Sequence, residues 1–357
     1  MLEIELKKQG KIKRLTNKTF KFDPRIKDGW YSATYFLKTE KIVEKHAADK
    51  IVTMQFFQRK NDVVLCGVDE AIALIKTFAK HPETLKIEAL NDGDIVQSVE
   101  PVLKITGPYQ NFGFLESLID GVLARRSSVA TNVRNVVKEA APTPVFFMGD
   151  RQDSYLNQQG DGYAAYIGGI SAQCTFAHGE WWGSNGGGTM PHALIQIMGG
   201  STLKAAEAYA DVFPNEKVTA LVDFHNDVIN DSLIVARVLK ERLGAVRVDT
   251  SDALVDHYFD DKEEKPHGVN PEQIKALRKA LDKEGFNYVK IVVSSGFDVE
   301  KIRRFKEAGA PVDSYGVGSS LLKVTVGYTG DLVRLNGQKL AKEGREDIPN
   351  PRLEVVE

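Results

Sequence analysis

The sequence predicts an α/β protein in which a (β/α) barrel, complete or incomplete, follows an N-terminal α+β domain of sandwich-like type. Short apolar segments alternate with helical patterns from Pro144 onward, which is the order of a parallel sheet covered by helices. A glycine follows three of these helical patterns, where helices commonly end: Gly244, Gly285 and Gly309. Small strands and tight turns before residue 115 predict the first domain.

We expect the first domain to span residues 1–115 and the barrel to span residues 116–329, with the polar C-terminal tail 330–357 returning to the first domain. The elements predicted for the first part are a strand within residues 1–20, a helix over Glu40–Ala48, strands over Ile51–Phe57 and Val63–Val68, a helix over Glu70–Ala79 with Asp69 as its N-cap, small strands and turns over Asn91–Pro108, and a long helical stretch over Phe112–Val137 that is interrupted at Arg125–Ser128.

The barrel part has fewer clear strands than the eight of a complete barrel, so an incomplete barrel is an open alternative. Residues 154–188 show few periodic signals for their length, which is typical of an active-site loop. The predicted elements are strands over Val145–Met148, Lys217–Phe224, Ala245–Thr250, Val289–Ser294 and Asp313–Val317, and helices over Asp231–Leu243, Pro271–Glu284 and Val299–Ala308.

The composition excludes several classes of protein. Of the 357 residues, 42% are hydrophobic and 27% are charged, which is typical of a chain that buries a substantial core. The net charge of −2 argues against nucleic-acid and anionic-membrane partners. Two cysteines, Cys66 and Cys174, are too few for a disulfide framework or a thiolate zinc site. No signal peptide or membrane-spanning apolar run is evident, so we expect a cytoplasmic protein.

A glycine-rich segment, Ser184–His192, leads directly into the apolar Ala193–Ile195. Three consecutive glycines let the backbone approach an anion closely. Pro191 marks the start of a short helix, which puts His192 in the first turn. The positive end of the helix dipole disfavours an imidazolium and attracts a phosphate, so a neutral, nucleophilic histidine beside a phosphate is expected.

Polar residues follow the predicted barrel strands, at the ends where barrel enzymes keep their catalytic groups. Glycine–serine turns after the last two strands predict a phosphate cradle. The acids at these ends could hold Mg²⁺ together with phosphate oxygens, or stabilise an oxocarbenium-like sugar carbon. The acids concerned are Asp223, Asp227, Asp249 and Asp252, whereas Asp298 is expected to be only the N-cap of the next helix.

Four motifs in order resemble nicotinate phosphoribosyltransferase, a type II phosphoribosyltransferase: Gly188–His192, Arg247–Asp252, Val293–Asp298 and Tyr315–Ser320. The segment Glu100–Pro108 also resembles the first domain of that family. The resemblance implies that nicotinate reacts with phosphoribosyl pyrophosphate (PRPP) to give nicotinate mononucleotide and pyrophosphate in NAD salvage. It also implies ATP as co-substrate, coupling through a phosphorylated histidine, and a homodimer or higher homo-oligomer with shared active sites.

The resemblance further implies roles for individual residues. His192 resembles the phosphorylated histidine, Arg151 the contact to the ring substituent, and Tyr35 an aromatic residue that stacks on the pyridine ring from a partner subunit. Asp223 and Asp249 are expected to be catalytic, with Asp249 and Asp252 as Mg²⁺ candidates. The remaining expected contacts to substrate are Thr189, Arg247, Ser251, Gly296, Gly316, Gly318 and Ser319.

Three alternatives remain open. A decarboxylating quinolinate phosphoribosyltransferase would need no ATP and no nucleophilic histidine, and Arg125, Arg126 and Arg134 could supply the denser basic cluster that its dianionic substrate requires. A phosphosugar aldolase or isomerase barrel would need a lysine or a proton-abstracting acid at a strand end, and Lys290 lies inside its strand. A nucleotide-sensing relative without catalysis would not need the charged residues at the strand ends.

Overall fold

The computed structural model describes all 357 residues, and its strands form a six-stranded sheet, a five-stranded sheet and a two-stranded ribbon. None of the helices combines the length and the apolar character that crossing a membrane requires. The first elements are α1 (Glu3–Lys8), α2 (Thr34–His46), β1 (Ile51–Gln58), β2 (Val63–Val64), α3 (Val68–Phe78), β3 (Lys86–Ala89), β4 (Ile95–Val96), β5 (Leu103–Pro108) and α4 (Glu116–Ala140).

Strands and helices alternate through most of the second part of the chain, and three strands close it. These elements are β6 (Val145–Phe147), α5 (Gln158–Ile167), α6 (Phe176–Gly179), α7 (His192–Ile197), α8 (Thr202–Val212), β7 (Val218–Leu221), α9 (Val228–Leu239), β8 (Leu243–Val248), α10 (Pro271–Lys283), β9 (Lys290–Val293), α11 (Val299–Glu307), β10 (Ser314–Val317), β11 (Tyr328–Leu335), β12 (Gln338–Lys339) and β13 (Glu354–Val355).

The six-stranded sheet is antiparallel, in the order β12-β11-β1-β5-β3-β13. Residues of β5 alternate between buried and half-buried, so one face of the strand packs on the core that it shares with α3. Strands β11 and β13, from the C-terminal part of the chain, pair with β1 and β3 in this sheet. The division into domains at residues 115 and 330 remains a prediction.

The five-stranded sheet is parallel throughout, in the order β6-β10-β9-β8-β7. Single parallel bridges extend it beyond β6, from Phe147 to Gln173 and from Gln173 to Gly186. No strand pairing joins β7 to Gly186. The α/β class with a parallel sheet is therefore confirmed, whereas the hydrogen-bonded strands do not close into a complete barrel.

The predicted strand within residues 1–20 is wrong, because the segment forms α1 followed by turns. Leu15 and Phe20 are buried in the core that surrounds the parallel sheet. The Glu3 carboxylate accepts a hydrogen bond from the Thr16 hydroxyl at 2.6 Å, which fastens the helix to the following turn. A short, weak alternation cannot distinguish a strand from a six-residue helix that buries one apolar side chain.

Asp69 is not an N-cap, as the sequence predicted. Helix α3 begins two residues earlier than predicted, at Val68, and Gly67 occupies the cap position with φ at +94°. The Asp69 carboxylate is buried and accepts hydrogen bonds from the backbone N–H of Leu15 at 3.0 Å and from the Arg14 guanidinium at 3.1 Å. Asp69 therefore links the N-terminal segment to helix α3.

The predicted interruption of the long helix at Arg125–Ser128 is also wrong, because α4 runs through it without a break. In the sequence this run of polar residues is typical of a loop. In the structure their side chains form hydrogen bonds and ion pairs inside the protein. The Arg126 guanidinium binds Glu70 at 2.8 Å, and the Ser127 hydroxyl donates to the Cys66 carbonyl at 3.1 Å. Tertiary partners, which the sequence does not show, make the buried polar residues compatible with a helix.

Of the three predicted helix-ending glycines, two are confirmed. Gly285 and Gly309 have left-handed φ values of +83° and +64° directly after their helices. Gly244 instead lies inside β8, and α9 has already ended at Leu239. A Cβ at residue 244 would lie 2.8 Å from the Cβ of Lys217, so close packing between neighbouring strands requires this glycine.

Two segments contain more helix than predicted. Helix α2 begins at Thr34, well before the predicted start at Glu40. Residues 154–188, predicted to be irregular, contain α5 and α6. The buried side of α5 consists mainly of small residues, including Gly160, Gly162 and two alanines, and Tyr163 is its only large buried side chain, so no helical period of large apolar residues is visible.

Candidate functional site

A cavity of about 780 Å³ lies at the carboxyl ends of the parallel strands. Residues that end or follow β6, β8, β9 and β10 form most of its wall, and the glycine-rich segment before α7 forms the rest. Parallel strands bring their carboxyl ends to one edge, which is why residues distant in sequence meet here. The predicted site residues that line the cavity are Arg151, Thr189, His192, Arg247, Asp249, Ser251, Gly296, Gly316, Gly318 and Ser319.

His192 is the first residue of α7, as predicted, and its ring is held by a carboxylate. The His192 Nε2 atom lies 3.0 Å from Oδ2 of Asp223, which follows β7. Burial raises the pKa of the Asp223 carboxyl, and its Oδ1 atom has no hydrogen-bond partner. With Nε2 facing Asp223, Nδ1 is the ring nitrogen left for other chemistry.

The glycines of the segment before His192 differ in their surroundings. A Cβ at Gly186 would lie 2.8 Å from the backbone of Thr175, so packing alone requires that glycine. A Cβ at Gly188 would meet nothing within 4 Å, although Gly188 lines the cavity. The open space beside Gly188 lets a ligand approach the backbone there.

Two arginines face the cavity with unused hydrogen-bonding capacity. The Arg247 Nη2 atom donates to the carbonyl oxygen of Met190 at 3.2 Å, while its buried Nε atom has no partner. Arg151 is exposed on the loop after β6 and makes no ion pair within the chain. Because buried or convergent guanidinium groups bind carboxylates and phosphates well, the pair predicts an anionic ligand.

Asp249 is one of two carboxylates in the cavity wall, the other being Asp150 on the loop after β6. The buried Ser294 hydroxyl donates to Oδ1 of Asp249 at 2.6 Å, which fixes the orientation of the carboxylate. The chain contains no cluster of three or more acidic, histidine or cysteine side chains suited to a metal ion. The two carboxylates fit Mg²⁺ only in the way this ion usually binds, with phosphate oxygens and water as the other ligands.

The glycines that were predicted to cradle a phosphate have packing reasons for being glycine. A Cβ at Gly316 would lie 2.7 Å from Sδ of Met148, and one at Gly318 would lie 2.5 Å from the Met148 carbonyl oxygen. Gly296 has φ at +65°, a conformation that other residues rarely adopt. All three line the cavity, but their being glycine does not by itself indicate a phosphate.

Four predicted site residues do not line the cavity. Asp227 is the N-cap of α9, where its carboxylate accepts a hydrogen bond from the Asn230 N–H at 3.3 Å. Asp223 stands behind His192, and Asp252 binds the Lys301 ammonium at 3.1 Å. Tyr35 lies on α2, with 62% of the residue exposed, and packs against Phe36. The chain's own cavity is therefore built without Tyr35.

The basic residues that the quinolinate and aldolase alternatives require do not line the cavity. Arg125 pairs with Asp161 at 2.7 Å and Arg126 with Glu70 at 2.8 Å, while Arg134 donates to a backbone carbonyl in a separate hollow. No lysine lines the cavity.

Sequence reasoning missed several residues of the cavity wall. Ser294 and Ser295 stand in a motif that was singled out, so their position after β9 was a usable signal. The segment containing Cys174 gave no such signal, because it reaches the wall through isolated bridges rather than a strand. The lining residues absent from the prediction include Phe146, Met148, Asp150, Gln152, Cys174, Ser294, Ser295 and Phe297.

Comparison with known sequences gives two findings. Residues 33–127 match the family model described as the N-terminal domain of quinolinate phosphoribosyl transferase. The chain is 28% identical over 281 residues to nicotinate phosphoribosyltransferase pncB1 of Mycobacterium tuberculosis, covering 76% of this chain and 58% of that protein. The chain thus spans less than two thirds of the length of this curated relative.

Comparison with solved structures extends the likeness to nearly the whole chain. The crystal structure of nicotinate-nucleotide pyrophosphorylase from Pyrococcus furiosus superposes with a TM-score of 0.81 at 30% identity, covering 94% of this chain and 85% of that one. Human nicotinic acid phosphoribosyltransferase superposes with a TM-score of 0.67 at 18% identity, covering 87% and 75%. The second likeness concerns the fold alone.

Proposed function

Because the chain belongs to the type II phosphoribosyltransferase family, we propose that it transfers phosphoribosyl from PRPP to nicotinate, giving nicotinate mononucleotide and pyrophosphate. The transfer is coupled to ATP hydrolysis through a phosphohistidine. The observation that carries the proposal is one cavity that combines His192, oriented by Asp223, with two arginines and Asp249. A pyridine carboxylate and a pyrophosphorylated sugar require both signs of charge.

Nicotinate is bound through its carboxylate by Arg151. The free guanidinium of Arg151 at the cavity wall supports this role, since a guanidinium binds a carboxylate through paired charge-assisted hydrogen bonds. Tyr35 stacks on the pyridine ring from a partner subunit of a homodimer or higher oligomer. Its exposure, and its absence from its own cavity, support a contribution in trans. Mixing Tyr35→Ala and Arg151→Ala proteins, each with a raised KM for nicotinate, should then restore low-KM activity in hybrid dimers.

PRPP occupies the remainder of the cavity. The turns containing Gly296, Gly316 and Gly318 receive the 5′-phosphate, with Ser319 beside them. Arg247, Thr189 and Ser251 contact the pyrophosphate and the ribose. Asp249, held by Ser294, stabilises positive charge on the ribose carbon as the bond to pyrophosphate breaks and the pyridine nitrogen attacks.

His192 accepts the phosphoryl group of ATP through Nδ1. A bond forms between Nδ1 and the γ-phosphorus, the bond from that phosphorus to the bridging oxygen breaks, and ADP leaves. The proton on Nε2 stays between the imidazole and Asp223, whose carboxylate compensates the positive charge of the phosphorylated ring. Water later hydrolyses the nitrogen–phosphorus bond and regenerates the histidine.

Mg²⁺ is the cofactor that this chemistry implies. Asp249 would hold it together with phosphate oxygens, whereas Asp252 is the weaker candidate because its carboxylate is bound to Lys301. When bound, the ion would neutralise charge on the pyrophosphate.

Quinolinate is a second candidate substrate, favoured by the family model that matches residues 33–127. The cavity argues for nicotinate, because Arg125 and Arg126 are bound to acids and leave only Arg151 and Arg247 as arginines for a dianion. A lysine-dependent aldolase is disfavoured by the absence of a lysine from the cavity wall. A nucleotide sensor without catalysis is disfavoured by the His192–Asp223 pair.

The organisation of the chain is part of the same proposal. The five-stranded sheet and its two bridged extensions form an incomplete (β/α) barrel over residues 116–329. Residues 1–115 and the tail 330–357 form the first domain, and the β11–β1 pairing supports this grouping. We place the activity in the cytoplasm, with no nucleic-acid or membrane partner.

Product analysis with nicotinate, nicotinamide and quinolinate, each with PRPP and with or without ATP, tests the proposal. We expect nicotinate mononucleotide from nicotinate, formed faster with ATP. Release of carbon dioxide from quinolinate, independent of ATP, would establish the second candidate. Formation of no nucleotide from any of the three substrates would contradict both.

A further inference from the structure

The turn after β9 holds two consecutive residues in the left-handed backbone region. Ser295 has φ at +77° and Gly296 has φ at +65°, and both line the cavity. Glycine adopts this conformation freely, but serine does so at a cost in free energy. Surrounding contacts must therefore hold Ser295 in place.

Lys301, on the first turns of α11, supplies such a contact from the side away from the cavity. Its Nζ atom donates to the carbonyl oxygen of Ser295 at 2.9 Å and to Oδ1 of Asp252 at 3.1 Å. The ammonium also lies 4.9 Å from the centre of the Phe297 ring. Only 10% of the Lys301 side chain is exposed, so its ammonium group contacts the turn and has little contact with solvent.

The same lysine connects two walls of the cavity. Asp252 belongs to the segment after β8 that also carries Asp249 and Ser251, whereas Ser295 follows β9. The Asp252 side chain is 66% exposed, so its ion pair with Lys301 is weakened by solvent. The contact of Lys301 with the Ser295 carbonyl is therefore the stronger of the two links.

We propose that Lys301 is a positioning residue for phosphate binding: it holds Ser295 and Gly296 in the left-handed turn that receives the 5′-phosphate of the sugar substrate. The inference rests on the proposed function for the identity of the ligand. Lys301 does not line the cavity and touches no substrate. It acts by preorganising the backbone N–H groups of the turn and by placing a positive charge behind them.

Equilibrium binding of ribose 5-phosphate and of nicotinate to the intact protein tests this role. Lys301→Met should weaken ribose 5-phosphate binding by about tenfold or more, while the affinity for nicotinate stays within about twofold of wild type. Lys279→Met, at an exposed lysine on α10, is the matched control and should change neither affinity. A general structural defect would instead weaken both ligands equally, and that result would overturn the proposal.

A double-mutant cycle with Ser295→Gly tests the mechanism. Glycine needs no help to adopt a left-handed φ, so Lys301→Met should cost much less ribose 5-phosphate affinity in the Ser295→Gly protein than in wild type. An equal loss in both backgrounds would contradict a role through the turn. Asp252→Asn, which keeps the fold's shape and removes only the exposed counter-charge, should weaken ribose 5-phosphate binding by about two- to fivefold. If Lys301→Met does not fold, an unchanged affinity in Asp252→Asn overturns the link between the two walls.

The outcomes separate this inference from the proposed function. A wild-type protein that binds PRPP and ribose 5-phosphate while Lys301→Met binds them equally well contradicts only the role of Lys301. A wild-type protein that binds neither compound contradicts the proposed function, and this inference with it.

Discussion

Two groups of charged side chains in this protein differ in how completely they are paired within the chain. Between the two sheets, Arg126 binds Glu70 at 2.8 Å and Arg125 binds Asp161 at 2.7 Å. At the strand-end cavity, the buried Arg247 Nε atom has no partner, and neither has the buried Oδ1 atom of Asp223, which lies behind His192. The group between the sheets is thus saturated, while the cavity group is not.

The paired charges stabilise the fold, whereas the unpaired charges are available to bind a ligand. Leaving a buried polar atom unpaired costs free energy, and in a cavity wall a ligand can complete such an atom. Both groups contain neighbouring arginines and acids, so the sequence alone does not distinguish a paired charge from an unpaired one. Substitutions in the paired group should lower stability, and substitutions in the cavity should lower activity.

The largest expected effect is on stability, from Arg126→Met. Removing one member of a buried ion pair leaves Glu70 charged and unpartnered, which should lower the free energy of unfolding by about 3–5 kcal/mol. Gly160, packed against the Arg126 guanidinium, would lose that contact as well. Urea unfolding measures the change.

The matched control for this variant is Arg237→Met. Arg237 also forms a two-contact ion pair, with Glu284, but on the surface. Its loss should lower stability far less than the loss of Arg126, because solvent screens an exposed ion pair. Equal losses in the two variants would remove the distinction between buried and surface pairs here.

The next effect is on catalysis, from Asp249→Asn. The amide keeps the shape and the contact with Ser294 but removes the charge that faces the sugar, so kcat should fall by about 10²- to 10³-fold. The free energy of unfolding should change by less than about 1 kcal/mol. Initial rates with nicotinate and PRPP measure the first effect, and Asp211→Asn, at an exposed acid, is the control.

Sequence reasoning located residues whose place at a strand end decides where they lie. Arg247 and Asp249 line one cavity because parallel strands bring their ends together, and His192, at the start of α7, lines the same cavity. Their chemical roles stay predictions. Sequence reasoning failed for polar residues whose partners are distant in sequence: Asp69, read as a cap, is a buried anchor for Leu15. Arg126 was weighed as a substrate contact, although its partner Glu70 is 56 residues away.

Burial of this kind depends on long-range contacts, which no local pattern reveals. Gly244 shows the same limit in a different form. Its position after a helical pattern predicted a helix end, but the close approach of Lys217, the residue before β7, is what requires it. The closure of the barrel could not be predicted either, because Gln173 and Gly186 extend the sheet by single bridges without strand-like sequence.

A smaller effect is expected for Arg151→Ala. Loss of a charge-assisted hydrogen bond to the carboxylate should raise the KM for nicotinate by about 10- to 100-fold and leave the KM for PRPP unchanged. Nicotinamide, which lacks the carboxylate, should show little difference between the two proteins. An unchanged KM for nicotinate would remove Arg151 from the ring pocket.

The smallest effect concerns Glu116, a half-buried acid outside both groups. Burial raises the pKa of Glu116 to about 8, with Asp120 and Asp331 adding to the shift. The folded state therefore keeps a proton that the unfolded state loses, and stability should fall as pH rises from about 4.5 to about 8. Glu116 is thus mainly neutral near pH 7 and is not an unpaired charge of the cavity kind.

Glu116→Gln tests this assignment. The variant should match wild type below about pH 5 and exceed it by about 1–2 kcal/mol above about pH 8, because the amide never ionises. Urea unfolding at several pH values measures the difference. A variant less stable than wild type above about pH 8 would show that the ionised carboxylate stabilises the fold. That result would contradict the description of Glu116 as a buried, neutral acid.

The most direct test of the account is the fate of the γ-phosphoryl group of ATP. After incubation with radiolabelled ATP, wild-type protein should carry acid-labile phosphate on the peptide containing His192. The His192→Ala protein should carry none and retain only slow transfer that ATP does not stimulate. Label on another residue, or ATP stimulation that survives His192→Ala, would contradict the role of the His192–Asp223 pair.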